Sequence, residues 1–297
     1  MTGDCGGRGA KRSPAGNAQL ALLLDVAAAP KPGNVDRDHD LADLRIEHFL
    51  AGAVGAGAGL RRAAAGAPVG VAFERAVAGM GSQAGDNTQF GALLLLVPLV
   101  RAAAEAPEAF RGTDARGTLQ RTDAAAVVEE TTVADAADFY RAFEHVDVAV
   151  ADPPEGMDAL DVRRGADAIP AVRERGLTLS EILARSEGDG NATEWTTGFE
   201  RTFETAAAIQ ADDGPLPDRI ARAFVDRLAN ESDTLVRTRH GPEVAADVRR
   251  RATEARGDPE AVANLDTDLR EAGINPGTTA DLVTAATFVA LERGVDL

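Results

Sequence analysis

This sequence predicts an all-α fold, a compact multi-helix bundle, and three observations carry that expectation. No stretch alternates apolar and polar residues with the period of two that marks a half-buried strand. The apolar share is 44%, rich in alanine, with only 4% aromatic residues. Small side chains let helices approach closely, whereas strands favour β-branched and aromatic residues. Long alanine-rich segments also alternate with short polar stretches of Pro, Gly, Asn and Asp, the punctuation of helix ends.

Residues 1–16 are Gly-rich and polar and are expected to form a disordered tail, with 17–297 as a single helical catalytic domain. Gly3 to Ser13 lacks the GxxxxGK[ST] spacing and no strand precedes it, so it is not a phosphate loop. Cys5, the one cysteine, excludes an internal disulfide framework and a multi-cysteine zinc site. Asn17 can cap a first helix running through Leu20, Leu23, Leu24 and Ala27.

The stretch Pro30 to Asp40 then breaks the pattern. Pro30 and Pro32 stop the preceding helix, and Gly33 permits a turn. Asp36, Asp38 and Asp40 follow, a run of oxygen ligands beside cationic Lys31 and Arg37. That combination suits a hard cation such as Mg²⁺ together with a phosphate-bearing substrate. It equally suits a polar turn with a capping aspartate before a helix at Leu41.

The next helix carries Leu44, Glu47, His48 and Ala51, and its Gly52, Gly55 and Gly59 form a face another backbone could approach. A third helix is expected over 69–80. Asp86, Asn87 and Thr88 precede the apolar run Leu93 to Leu96. They can simply cap a buried helix, or the helix start can seat a phosphate. Residues 104–124 read as an exposed connection with short helix, and 131–148 as a helix carrying Phe139, Tyr140 and Phe143. Pro153 to Gly156 punctuates the chain without forming a clear linker. Short helices are expected at 158–165 and 178–186, and one helix over 191–209 with Trp195, Phe199 and Phe203 in its core face.

A helix over 217–230 leads to Asp233 and Thr234 with Arg237 and Arg239, a carboxylate near two arginines that fits either a salt-bridged helix end or a guanidinium site for phosphate. Asn275 is the expected N-cap of the last helix, with Pro276 at its first position and Thr278 and Asp281 beyond.

Charge is lopsided. Lys and Arg total 31 against 48 Asp and Glu, a formal net charge of −17. Lys11 and Lys31 are the only lysines. A strongly acidic, lysine-poor chain resembles proteins of salt-loving archaea, and its charge reads as solvation in a high-salt cytoplasm. It argues against general nucleic-acid binding, which needs a basic footprint. No run reaches transmembrane length, and no apolar signal core opens the chain. A cytoplasmic location with no membrane partner is expected.

Taken together, the four polar stretches resemble the triphosphoribosyl-dephospho-CoA synthase family. Lys31 to Arg37 looks like that family's KPGLVDR, and Asn87-Thr88 with Gly91-Ala92 is similar to its NTHKGA. Asp233-Thr234 with Arg237 resembles its DTN…RGG, and Asn275 to Leu282 resembles SPGGSADLL. The resemblance implies a transferase that uses ATP and 3′-dephospho-CoA. The 2′-hydroxyl of the acceptor ribose attacks the anomeric carbon of ATP, and adenine leaves. The product is the precursor of a prosthetic group, so any acyl carrier protein is only an indirect partner; homo-oligomerisation is compatible with the small-residue helix faces.

Carried onto this chain, Asp36, Asp40 and Asp281 are the catalytic candidates. Lys31, Arg37, Asn87, Thr88, Arg237 and Thr278 are the candidates for substrate and phosphate. Asp36, Asp38, Asp40, Asp86 and Asp233 are the candidate ligands of an expected Mg²⁺. The chain departs from the family where Gln89-Phe90 replaces His-Lys and where Leu235 stands for Asn, which leaves a related nucleotide as an alternative acceptor. Two alternatives use the same stretches: a Mg²⁺-dependent nucleotide or N-glycosidic hydrolase, and a non-catalytic nucleotide-binding protein.

Overall fold

Alanine-rich sequence without strand periodicity yields fifteen α-helices and no strand among the described residues. The computed structural model describes residues 12–105, 119–153, 155–186 and 188–297. Cys5, Lys11 and most of the expected tail fall outside them, and Pro14 to Gly16 already belong to the first helix.

The first half comprises α1 (Pro14–Ala27), α2 (Ile46–Ala64), α3 (Val69–Met80), α4 (Phe90–Glu105), α5 (Arg121–Glu129) and α6 (Val133–Ala142). Two 3₁₀ segments, Asp158–Leu160 and Val162–Ala168, lead into α7 (Ile169–Arg175), α8 (Leu179–Leu183) and α9 (Gly190–Thr196). Then come α10 (Glu200–Ala211), α11 (Leu216–Asn230), α12 (Thr234–His240), α13 (Pro242–Ala255), α14 (Pro259–Glu271) and α15 (Gly277–Glu292).

Two strongly apolar helices, α4 and α15, pack on each other at the centre and are buried almost all round. One core cluster runs from Ala15 to Leu291. Helices α1 and α10 cover α15, while α3 packs on α4 and α6 packs on α3. The glycine face of α2 performs as its spacing predicts. A Cβ at Gly55 or Gly59 would collide with the backbone of Gly79 or Ala76 in α3, so only glycine permits this approach.

Pro98 lies inside α4 without ending it. Proline has no N–H, so the carbonyl one turn earlier loses its helical donor. That carbonyl belongs to Leu94, and the Trp195 indole N–H donates to it at 3.2 Å in the core. The broken backbone bond is thereby replaced by a tertiary one, which fastens α9 to α4.

Several boundaries differ from expectation. Ser13 caps α1, its hydroxyl accepting from Gly16 N–H at 3.2 Å, and Asn17 instead donates to Glu292 at 2.8 Å. The helix expected at Leu41 starts at Ile46, whose N–H is taken by Asp40 at 2.8 Å. The single helix expected over 191–209 is two. Gly198 and Phe199 both adopt positive φ, which buries the Phe199 ring completely. Buried Glu194 then caps α10, accepting from the Thr202 N–H at 2.8 Å and its hydroxyl at 2.6 Å. Helix α6 stops at Ala142, freeing residues 148–151 to wall a cavity. Pro276, not Asn275, caps α15.

Candidate active site

A cavity of about 580 Å³ opens where α1, α4, α9, α12 and α15 meet, within the size range of small-molecule sites. All four polar stretches reach it. The first contributes Asn34, the second Asn87 to Gly91, the third Thr234, Leu235 and Arg237, and the fourth Asn275, Gly277, Thr278 and Asp281. Aromatic and aliphatic side chains, among them Phe139, Phe143, Leu160 and Ile182, form the opposite wall.

Asp25, Asp152, Asp161, Asp189 and Asp281 all line this cavity, and two of them, Asp281 and Asp25, have contrasting surroundings. Asp281, in the second turn of α15, accepts from Asn191 Nδ2 at 3.0 Å. Burial pushes its carboxyl up to about 8, and the negative charges of Asp25 and Asp233 add to the shift, against the opposing Asn191 hydrogen bond. Gly91 crosses directly over this pair: a Cβ there would overlap both Asp281 Oδ2 and Asn191 Nδ2.

The second carboxylate is Asp25, on α1 and 5% exposed. Its Oδ1 lies 2.6 Å from Lys31 Nζ, and Lys31 is wholly buried. A buried ammonium needs a counter-charge and full hydrogen bonding. Lys31 finds the first in Asp25, and part of the second in Asn34 Oδ1 at 2.8 Å. Asn34 in turn donates to Asn275 Oδ1 at 2.8 Å, linking the first motif to the last. Lys31 is therefore committed to Asp25 and does not line the cavity, contrary to its expected role as a phosphate ligand.

The aspartates of the first motif turn inward to their own loop. Asp36 accepts backbone N–H groups from Lys31 at 3.1 Å, Asp38 at 2.9 Å and His39 at 3.0 Å. Asp40 caps α2, while Asp38 and Arg37 are exposed and lie 3.7 Å apart. Arg37 also donates to the Ala27 carbonyl at 3.0 Å, which closes the loop on the end of α1. None of these four lines the cavity.

The five expected Mg²⁺ ligands do not gather. Among the described residues, the ligand atoms within 4.8 Å of one another are those of Asp36, His39 and Asp266. This trio fits Mg²⁺ poorly, since that ion wants oxygen ligands with free lone pairs. Asp36 is occupied by three N–H groups. Asp266 accepts from Gly33 N–H at 3.0 Å and from both prongs of Arg270 at 3.0 and 2.8 Å. The trio pins the loop to α14. Asp86, with φ 56°, instead takes the Asp147 N–H at 3.2 Å.

Asp233 ties α12 to α15. One oxygen caps α12 at Val236 N–H (3.0 Å), and the other accepts from Thr279 N–H at 2.7 Å and its hydroxyl at 2.8 Å. Burial pushes its carboxyl above the ordinary aspartate range. Thr278 accepts from the Thr234 hydroxyl at 2.9 Å and from Leu235 N–H at 3.2 Å. These bonds set the angle at which α12 presents Arg237 and Arg239 to the cavity, where Arg185 joins them. Arg237 donates to the Gly188 carbonyl and Arg185 to that of Glu181, so both guanidiniums keep further donors free.

Asp25, Gln89, Asn191 and Arg185 were not among the expected site residues. Asp25 carried a signal, being the lone charged residue of the first helix. Asn191 carried none, because its role depends on the break between α9 and α10.

The family model for CitG, ATP:dephospho-CoA triphosphoribosyl transferase, matches residues 11–296. The crystal structure of a proposed triphosphoribosyl-dephospho-CoA synthase from Archaeoglobus fulgidus is similar, with a TM-score of 0.68 and 26% identity. That similarity covers 84% of this chain and 99% of the other. No curated protein matches the sequence.

Proposed function

We propose that this chain, which belongs to the family of ATP:dephospho-CoA triphosphoribosyl transferases, performs that transfer in the cavity with Asp281 and Asp25 as its paired carboxylates. The family's substrates are ATP and dephospho-CoA, and membership does not favour the hydrolase or the non-catalytic alternative. The observation that carries the site assignment is the contrast between two of the cavity's carboxyls, Asp281 held protonated by burial and Asp25 held against an ammonium. Carboxyls in such different surroundings suit opposite roles in proton transfer.

In the reaction, the acceptor's 2′-hydroxyl oxygen forms a bond to the anomeric carbon of ATP, and the bond from that carbon to adenine N9 breaks. Asp281 gives its proton to a ring nitrogen of the departing purine, making it a neutral leaving group. Asp25 faces the positive charge that develops on the sugar and takes the proton of the attacking hydroxyl. One proton thus leaves the hydroxyl and one reaches adenine, and exchange between the two carboxyls restores the site. Lys31 keeps Asp25 in place.

Arg185, Arg237 and Arg239 are the cations on the wall and suit the triphosphate. Mg²⁺ enters with the nucleotide, whose phosphate oxygens are its preferred ligands. Among the described residues the carboxylates build no cage for it. The acidic surface, at a net charge of −17, suits activity at high salt, where the repulsion of an anionic substrate is screened. Among the described residues no helix is long and apolar enough to cross a membrane.

Product analysis tests this function: purified protein with ATP, 3′-dephospho-CoA and Mg²⁺ in molar KCl, read by mass spectrometry. Adenine and a triphosphoribosylated dephospho-CoA are expected in equal amounts. Adenine formed without the adduct contradicts the transfer.

A further inference from the structure

We infer that Gln89 reads the leaving base, its Oε1 accepting a hydrogen bond from the exocyclic amine of adenine. This rests on the transfer reading of the cavity. Gln89 stands just before α4 and is 3% exposed. Its orientation is fixed at both ends. The backbone N–H points to Met80 Sδ at 3.2 Å, and Nε2 donates to the Leu22 carbonyl at 3.0 Å. A carbonyl can only accept, so the amide nitrogen must face Leu22 and the amide oxygen must face away.

That oxygen is buried and has no partner, yet Gln89 lines the cavity. Thr88 Oγ1 and Asn191 Oδ1, from neighbouring parts of the wall, are buried without partners as well. A buried polar atom left unpaired costs about 1–3 kcal/mol, and three on one wall point to a ligand that pairs them. Two of the three are amide oxygens whose nitrogens are already engaged, by Leu22 and Asp281. The complementary ligand edge therefore offers N–H donors.

Adenine's amine supplies two such donors, and its ring nitrogens can accept the Asp281 proton. A 6-oxo purine would set a carbonyl against Gln89 Oε1 and is excluded by repulsion. The neighbouring Phe90 cannot share this task, since its ring is held between Phe73 (5.1 Å) and Phe143 (4.9 Å).

The test compares binding of ATP with that of purine riboside triphosphate, which lacks only the amine, to the full-length protein by calorimetry. The wild type is expected to bind ATP about 10- to 100-fold more tightly. In Gln89→Leu the ratio is expected to fall towards one, mainly through weaker ATP binding. Gln89→Met, which keeps the side-chain length but has no amide oxygen, provides a second variant if Gln89→Leu does not fold, and is expected to lose the preference for the amine as well. A wild type that binds both nucleotides equally overturns the assignment, as does a Gln89→Leu protein with undiminished preference. Because binding is measured without the acceptor, these outcomes are separate from failure of the transfer itself.

Discussion

Lys31 and Asp25 form an ion pair at 2.6 Å in which neither side chain is more than 5% exposed. The pair is set by sequence spacing. Asp25 ends the first helix's buried face, and the turn through Pro30 to Gly33 brings the lysine back over it. Lys31→Met leaves Asp25 as an unpaired buried carboxylate, so a loss of about 3–5 kcal/mol in unfolding free energy is expected. Chemical denaturation measures it. Arg37→Ala, six residues on but exposed, is expected to change stability by less than about 0.5 kcal/mol and to leave turnover intact.

Asp281 gives the pH dependence. As a proton donor it works while protonated, so kcat is expected to fall as pH rises through about 8. A rate that rises through that pH would make Asp281 the base instead.

The same shift affects stability with a defined sign. Burial makes the folded carboxyl hold its proton more tightly than the unfolded chain does. Between the ordinary aspartate range and about 8, rising pH therefore favours unfolding. Asp281→Asn removes this penalty, and is expected to stabilise the protein at neutral and higher pH by roughly 1–3 kcal/mol while abolishing turnover. Thermal melts at pH 5 and pH 8 should show wild type and variant diverging at the higher pH.

Gly91→Ala tests the geometry of the site without removing any catalytic group. Alanine favours α4, but its Cβ overlaps the Asp281–Asn191 hydrogen bond. Helicity by circular dichroism is expected to persist while kcat drops about 100-fold, the cost of a misplaced reacting group.

Trp195→Phe tests the repair of α4. Phenylalanine fills most of the space but cannot donate to the Leu94 carbonyl that Pro98 leaves free. A loss of about 1–3 kcal/mol is expected from the orphaned buried carbonyl.

Much of the fold was legible because helix signals are local. The bounds of α3, 69–80, follow from its apolar period and flanking residues, and the glycines of α2 announce the close approach of α3. The convergence of four polar stretches on one cavity was also foreseeable from their places at helix ends. The roles inside it were not. Asp36, Asp38 and Asp40 looked like ligands because acidic turns and acidic sites share a composition. Only the fold reveals that Asp36 is spent on backbone N–H groups. Likewise the lysine beside them faces the core, because Asp25 lies on the preceding helix. The break at Gly198 and Phe199 brings buried Glu194 to the start of α10, a pairing that the helical period over 191–209 does not contain.

The most direct measurement of the central claim is acceptor-dependent adenine release by wild type, Asp25→Asn, Asp281→Asn and Asp36→Asn, each verified as folded. Wild type is expected to release adenine only when 3′-dephospho-CoA is present, and both cavity variants are expected to lose that release by at least about 1,000-fold. Asp36→Asn, if it folds, is expected to retain it within about tenfold, because its carboxylate organises a loop rather than touching substrate. Full activity in either cavity variant, or complete loss confined to Asp36→Asn, would contradict the assignment of the chemistry to Asp25 and Asp281.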